Sequence, residues 1–117
     1  MSLNEDSNNK AYVLGRLFAY LEKNQYDANG SSSLKEKYFA SACAHPGTVF
    51  PLLLRLTNSH IAKDSEHKWY KEQDLGRLLD KLEYPGETFP AFLSLKDQGI
   101  FILGYYHQMQ KRYEKKN

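Results

Sequence analysis

A chain of 117 residues has the length of one domain, and a hydrophobic fraction of 41%, with 9 Tyr and 6 Phe, is enough to build a packed core. No stretch approaches the roughly 18 uninterrupted apolar residues of a membrane span, the opening MSLNEDSNNK lacks the apolar segment of a secretory signal, and the lone Cys43 excludes an internal disulfide; a cytoplasmic protein is expected. The net charge of +2 is too small to identify a nucleic-acid binder, but it is unevenly spread: residues 1–34 carry 3 basic and 4 acidic side chains, 35–63 carry 4 and 1, 64–90 carry 4 and 7, and 91–117 carry 5 and 2.

Strand signals are weak throughout, and the spacing of apolar residues predicts an all-α fold, a compact single-domain bundle of about five helices behind a disordered lead of residues 1–8. The first helix is expected from about Asn9 to Asn24, with Leu14, Leu17, Phe18 and Leu21 as its core stripe and Tyr12, Arg16 and Lys23 on the opposite side. Asn24 to Ser33 reads as a loop, and Ser33 with Glu36 as a capping box that opens a second helix ending at His45, before Pro46-Gly47. Within it, Cys43 in the small-residue run Ala40–Ala44 reads as core filler.

A third helix is expected from near Thr48, with Pro51 tolerated in its first turn. Val49, Phe50, Leu52, Leu53, Leu54, Leu56 and Ile61 cover more than half of its circumference, which predicts the central, mostly buried helix. Its polar strip is Arg55, Asn58 and Ser59, with Lys63 at the margin, and His60 falls in the apolar arc as a hydrogen-bonded core histidine. The fourth helix, about Ser65 to Tyr84, has a thin stripe of Leu75, Leu78, Leu79 and Leu82, and Pro85-Gly86 ends it. Phe89-Pro90-Ala91-Phe92 is too apolar for a free linker and is expected to pack as a turn. Ser94 and Asp97 form a second capping box, opening a helix to about Glu114. On that helix Leu95, Ile102, Leu103, Tyr105, Tyr106 and Met109 gather on one side, and Lys96, His107, Gln108, Lys111, Arg112 and Lys115 on the other. Gly104 leaves a notch where another backbone can approach closely. Leu14-Gly15-Arg16-Leu17 and Leu75-Gly76-Arg77-Leu78 are alike, but their flanks differ too much for a repeat.

No catalytic constellation is visible. His45, His60, His67 and His107 lack the i, i+3 or i, i+4 partners of a zinc site, and there is no CxxC, HExxH or GxSxG. No Gly-rich loop precedes a helix as a phosphate cradle requires. Asp74, Asp80 and Glu83 lie among Lys71, Arg77 and Lys81 and read as surface pairs. The sequence therefore predicts a protein that is not an enzyme and has neither metal nor cofactor. The basic strips carry the functional potential: Arg55 must reach solvent, an internal acid or a partner's phosphate, and the cations at the C-terminal end either complement the helix dipole or meet a partner.

Tyr12-Val13-Leu14-Gly15-Arg16-Leu17-Phe18-Ala19, ASACAHPGTVFPLLLRL (40–56) running into His60-Ile61-Ala62-Lys63, and FPAFLSLKDQGIFILGYYHQ (89–108) together resemble the C-terminal domain of the large subunit of the type I-C CRISPR effector complex, Cascade. LSLKDQG (93–99) and GYYHQ (104–108) are the most specific parts. In that family the region is also made as a separate small subunit from an internal start. The resemblance implies a helical bundle present in more than one copy per complex, lying beside the large subunit and the repeated backbone subunits, where it helps hold the guide RNA and target DNA heteroduplex and the displaced strand. Sequence is then read by base pairing, so backbone contacts suffice. Ser59 stands where many relatives are expected to carry a second histidine beside His60. Arg16, Arg55, Lys63, His107, Lys111, Arg112 and Lys115 are the expected nucleic-acid contacts; the alternative is a purely structural adaptor whose basic strips meet acidic neighbours.

Overall fold

The computed structural model describes residues 3–29, 33–82 and 89–114, and the side chains of all of these except 27–29 and 111–114. Five helices and no strand occur among the described residues: α1 (Lys10–Asn29), α2 (Leu34–Ala44), α3 (Pro46–Lys63), α4 (Lys68–Leu82) and α5 (Leu95–Glu114). The all-α bundle expected from the apolar spacing is the observed architecture. Pro85 and Gly86 lie outside the described residues.

The central helix is α1, not α3. Every residue from Ala11 to Ala19 is buried, and α1 packs against all four other helices, most extensively against α5. The spread of apolar residues around its circumference favoured α3, yet Leu52 and Leu56 remain 39% and 41% exposed there while Tyr12 and Arg16 are buried to 7%. The cause lies in two glycines. A Cβ at Gly15 would collide with the carbonyl oxygen of Phe101, and one at Gly104 with that of Tyr12. Without these side chains α1 and α5 approach backbone to backbone, and α5 covers the side of α1 that its sequence presents as polar. The notch at Gly104 is thus filled by this chain's own α1.

An aromatic cluster fills the space beneath this crossing. Phe18 meets Phe39, Phe50, Phe101 and Tyr105 at centroid distances of 5.4, 6.4, 6.3 and 5.8 Å in tilted or edge-on arrangements, the geometry that aromatic quadrupoles favour. Phe89 stacks on Phe50 at 5.5 Å. The Gly47 N–H donates to the Pro90 carbonyl and the Leu93 N–H to that of Ala44, so the 89–93 turn packs onto the core as its composition suggests. Cys43 is buried there; its thiol lies 3.5 Å from the Gln98 carbonyl, and burial pushes its pKa up, as fits core filler.

Several element ends differ from the sequence reading. The first helix runs five residues past Asn24, whose side-chain amide donates to the Tyr20 carbonyl one turn back. His45 caps the second helix, and α3 starts directly at Pro46. Pro51 therefore sits in the second turn, on the exposed side. Ser33 occupies the N-cap of α2 without a side-chain cap bond, whereas Ser94 Oγ accepts from the Asp97 N–H at the start of α5. The fourth helix begins at Lys68, after a turn over 65–67. Within the lead expected over residues 1–8, of which 1 and 2 lie outside the described residues, the Asn4 N–H donates to the Tyr12 hydroxyl and Asn8 accepts from Lys81.

Candidate nucleic-acid interface

The burial of Val49, Phe50, Leu53, Thr57 and Ile61 fixes which way α3 faces. Its outward surface then consists of Pro51, Leu52, Arg55, Leu56, Asn58, Ser59, Ala62 and Lys63, all exposed. No acidic residue lies on that surface. Arg55 and Lys63 are about 12 Å apart along the axis at 1.5 Å per residue, and neither is hydrogen-bonded or ion-paired to any other described residue. Among the described residues no internal acid reaches Arg55, which is exposed. His60 is half-buried beside them and makes no hydrogen bond to a described residue, in contrast to the bonded core histidine expected.

Two other expected contacts, Arg16 and His107, come together at a different place, the α1–α5 seam. Arg16 Nε donates to the Gln108 side-chain oxygen at 2.9 Å. The Tyr12 hydroxyl accepts from the Asn4 N–H and lies 2.7 Å from His107 Nδ1. Both Arg16 Nη1 and His107 Nε2 are buried without a partner among the described residues. Desolvation lowers the Arg16 pKa, partly opposed by Tyr12. The sequence placed both side chains on outward strips; the close crossing at Gly15 and Gly104 turned them inward. Lys111 and Arg112 belong to the end of α5, with side chains outside the described set, and Lys115 lies outside the described residues.

The turn joining α3 to α4 is held by one carboxylate. Asp64 accepts from Lys71 Nζ at 2.8 Å and from the His67 N–H at 3.2 Å. The Lys71 hydrogen bond is the main reason the Asp64 pKa falls to about 2. Just beyond this turn stand Trp69 and Tyr70, 64% and 66% exposed, a feature sequence reasoning missed. The signal was present: every residue three or four positions from either ring within 65–74 is polar or charged. Gly15 was missed in the same way, as a glycine set among apolar residues in mid-helix.

Among the described residues no three His, Cys, Asp or Glu side chains gather as a metal site, and no helix is long and apolar enough to cross a membrane. A family model described as CRISPR-associated protein (Cas_Csd1) matches residues 1–113. The chain belongs to this CRISPR-associated family. The match covers α1 to α5, including both the α3 surface and the α1–α5 seam. No curated protein matches the chain. Membership of the Cas_Csd1 family places the chain among CRISPR-associated proteins and accords with the resemblance carried by ASACAHPGTVFPLLLRL and GYYHQ.

Proposed function

We propose that this protein is a non-catalytic small subunit of a type I-C CRISPR Cascade, cytoplasmic and without a cofactor. It packs beside the large and repeated backbone subunits and steadies the guide RNA, the target DNA and the displaced strand through backbone contacts. The observation that carries the reading is the acid-free outward surface of α3, where Arg55 and Lys63 are exposed and pair with no other described residue, in a chain of the Cas_Csd1 family. Phosphate contacts need spaced cations and no base-reading geometry, because base pairing supplies the specificity. Cleavage belongs to another component of the complex.

The experiment is R-loop formation by the reconstituted complex over a range of salt concentrations. Each phosphate contact contributes about 0.9 to the slope of log K against log salt. Arg55→Ala with Lys63→Ala therefore lowers the slope by about 1.8 if both contact phosphate. An unchanged slope removes the phosphate role. The structural-adaptor reading gains from one observation: Arg16 and His107, two of the expected contacts, are turned into the chain's own α1–α5 seam. On that reading these variants lose assembly while the salt slope of the assembled complex is unaltered.

A further inference from the structure

We propose that the outer surface of α4, centred on Trp69 and Tyr70, is a docking site for a protein partner that presents a basic surface. The inference rests on the reading that the chain works within a larger assembly, and it assigns a surface which that reading leaves unused. Trp69, Tyr70, Gln73, Arg77 and Asp80 recur at three- and four-residue spacing and are all exposed, so they form one outward stripe, with Glu66 exposed in the turn before it. Glu72 and Asp74 flank it, also exposed. Arg77 is already paired with Asp74 at 2.7 Å, so Glu66, Glu72 and Asp80 outnumber the two lysines of α4 not paired with a carboxylate, the exposed Lys68 and the half-buried Lys81, which bonds Asn8. The net sign of the surface is negative.

The two rings are held in place before any partner arrives. They meet edge to face at 5.0 Å and 86°. The chain beneath them is pinned on both sides, since the Tyr20 hydroxyl donates to the Lys71 carbonyl at 3.0 Å and Lys71 Nζ bonds Asp64 at 2.8 Å. Exposed, rigid Trp and Tyr side chains lose little freedom on binding and are the residue types that dominate protein interfaces. A rim of acids selects the sign of the partner. Base stacking from a nucleic acid would use the same rings, but its phosphates would lie against Glu66, Glu72 and Asp80, and stacking platforms are set in positive grooves. α3 and α4 thus offer opposite electrostatic surfaces, and a protein that lines nucleic acid carries the positive surface which α4 complements.

Trp69 is the only tryptophan of the chain, which makes the test direct. The full chain is labelled with 5-fluorotryptophan, and its single fluorine resonance is followed on adding the unlabelled remaining subunits of the complex, or a single-stranded oligonucleotide alone. The proposal expects the resonance to shift and lose its sensitivity to deuterated water when the complex assembles, and to stay put with the oligonucleotide. Trp69→Ala weakens incorporation by about thirtyfold, and Glu72→Lys with Asp80→Lys weakens it more at low salt than at high salt. Circular dichroism of these variants stays that of the parent, because all three side chains are exposed. Assembly with an unmoved resonance overturns the docking surface but leaves the proposed function standing; no assembly overturns both. A shift with the oligonucleotide alone, or with increasing concentration of the chain alone, overturns the proposal in favour of base stacking or self-association.

Discussion

Replacing Gly15 with alanine tests the physical basis of this fold most severely. The added methyl would overlap the Phe101 carbonyl oxygen and stand 2.8 Å from the Tyr105 nitrogen. Both obstacles are helix backbone, so no rotamer change relieves them. Since carbon and carbonyl oxygen ordinarily stay about 3.3 Å apart or more, α1 and α5 must separate by more than about an ångström, which loosens Phe18, Phe101 and Tyr105 together. Overpacking costs about 1–3 kcal/mol where side chains can adjust, and more where they cannot. Alanine's better helix propensity returns about 1 kcal/mol. A net loss of about 3 kcal/mol follows, or roughly 12 °C in Tm for a domain of this size. Gly76→Ala and Gly99→Ala are internal controls, because a Cβ at either position meets nothing within 4 Å. Both lie inside helices and should raise Tm by up to about 4 °C through propensity alone. Calorimetry of the three variants decides the matter: a Gly15→Ala protein melting at or above the parent refutes the close crossing.

Arg16→Met keeps the aliphatic stem and removes a buried guanidinium whose Nη1 has no partner among the described residues, so its unfolding free energy should stay within about 1 kcal/mol of the parent or rise; a loss above about 3 kcal/mol would mean that the charge is satisfied in the fold. Asp64 has a folded pKa of about 2, below the roughly 3.9 of an unfolded chain. Its contribution is therefore complete above about pH 4 and disappears as the pH falls towards about 2. Denaturant midpoints of the parent and Asp64→Asn should differ at pH 5 and converge by pH 2, and a gap that persists at pH 2 would show that ionisation is not what holds the α3–α4 turn.

Helix number and most of the apolar core were readable because the stripes Leu14, Leu17, Phe18, Leu21 and Leu75, Leu78, Leu82 obey helical spacing, and because Ser94 with Asp97 marks a helix start. What the sequence concealed was which helix is surrounded. A one-dimensional projection weighs large aliphatic side chains, and α3 has more of them than α1. Burial is decided instead by how closely backbones approach, and that depends on Gly15 and Gly104, whose effect lies in what they lack. The same cause divides the expected contacts. Arg55 and Lys63 were correctly placed on an outward strip of α3, because Val49, Phe50 and Leu53 fix its inner side. Arg16 and His107 were placed outward from the pattern of their own helices, while their surroundings are set by the opposite helix. Trp69 and Tyr70 escaped notice since an aromatic residue is ordinarily read as core.

Co-expression of the chain with the remaining subunits of the complex, followed by native mass measurement with and without it, tests the central claim most directly. A non-catalytic subunit present in more than one copy predicts that the assembly gains two or more whole multiples of 13.6 kDa, and that the complex lacking the chain forms R-loops less stably. An assembly of unchanged mass, with R-loop formation indifferent to the chain, would contradict it.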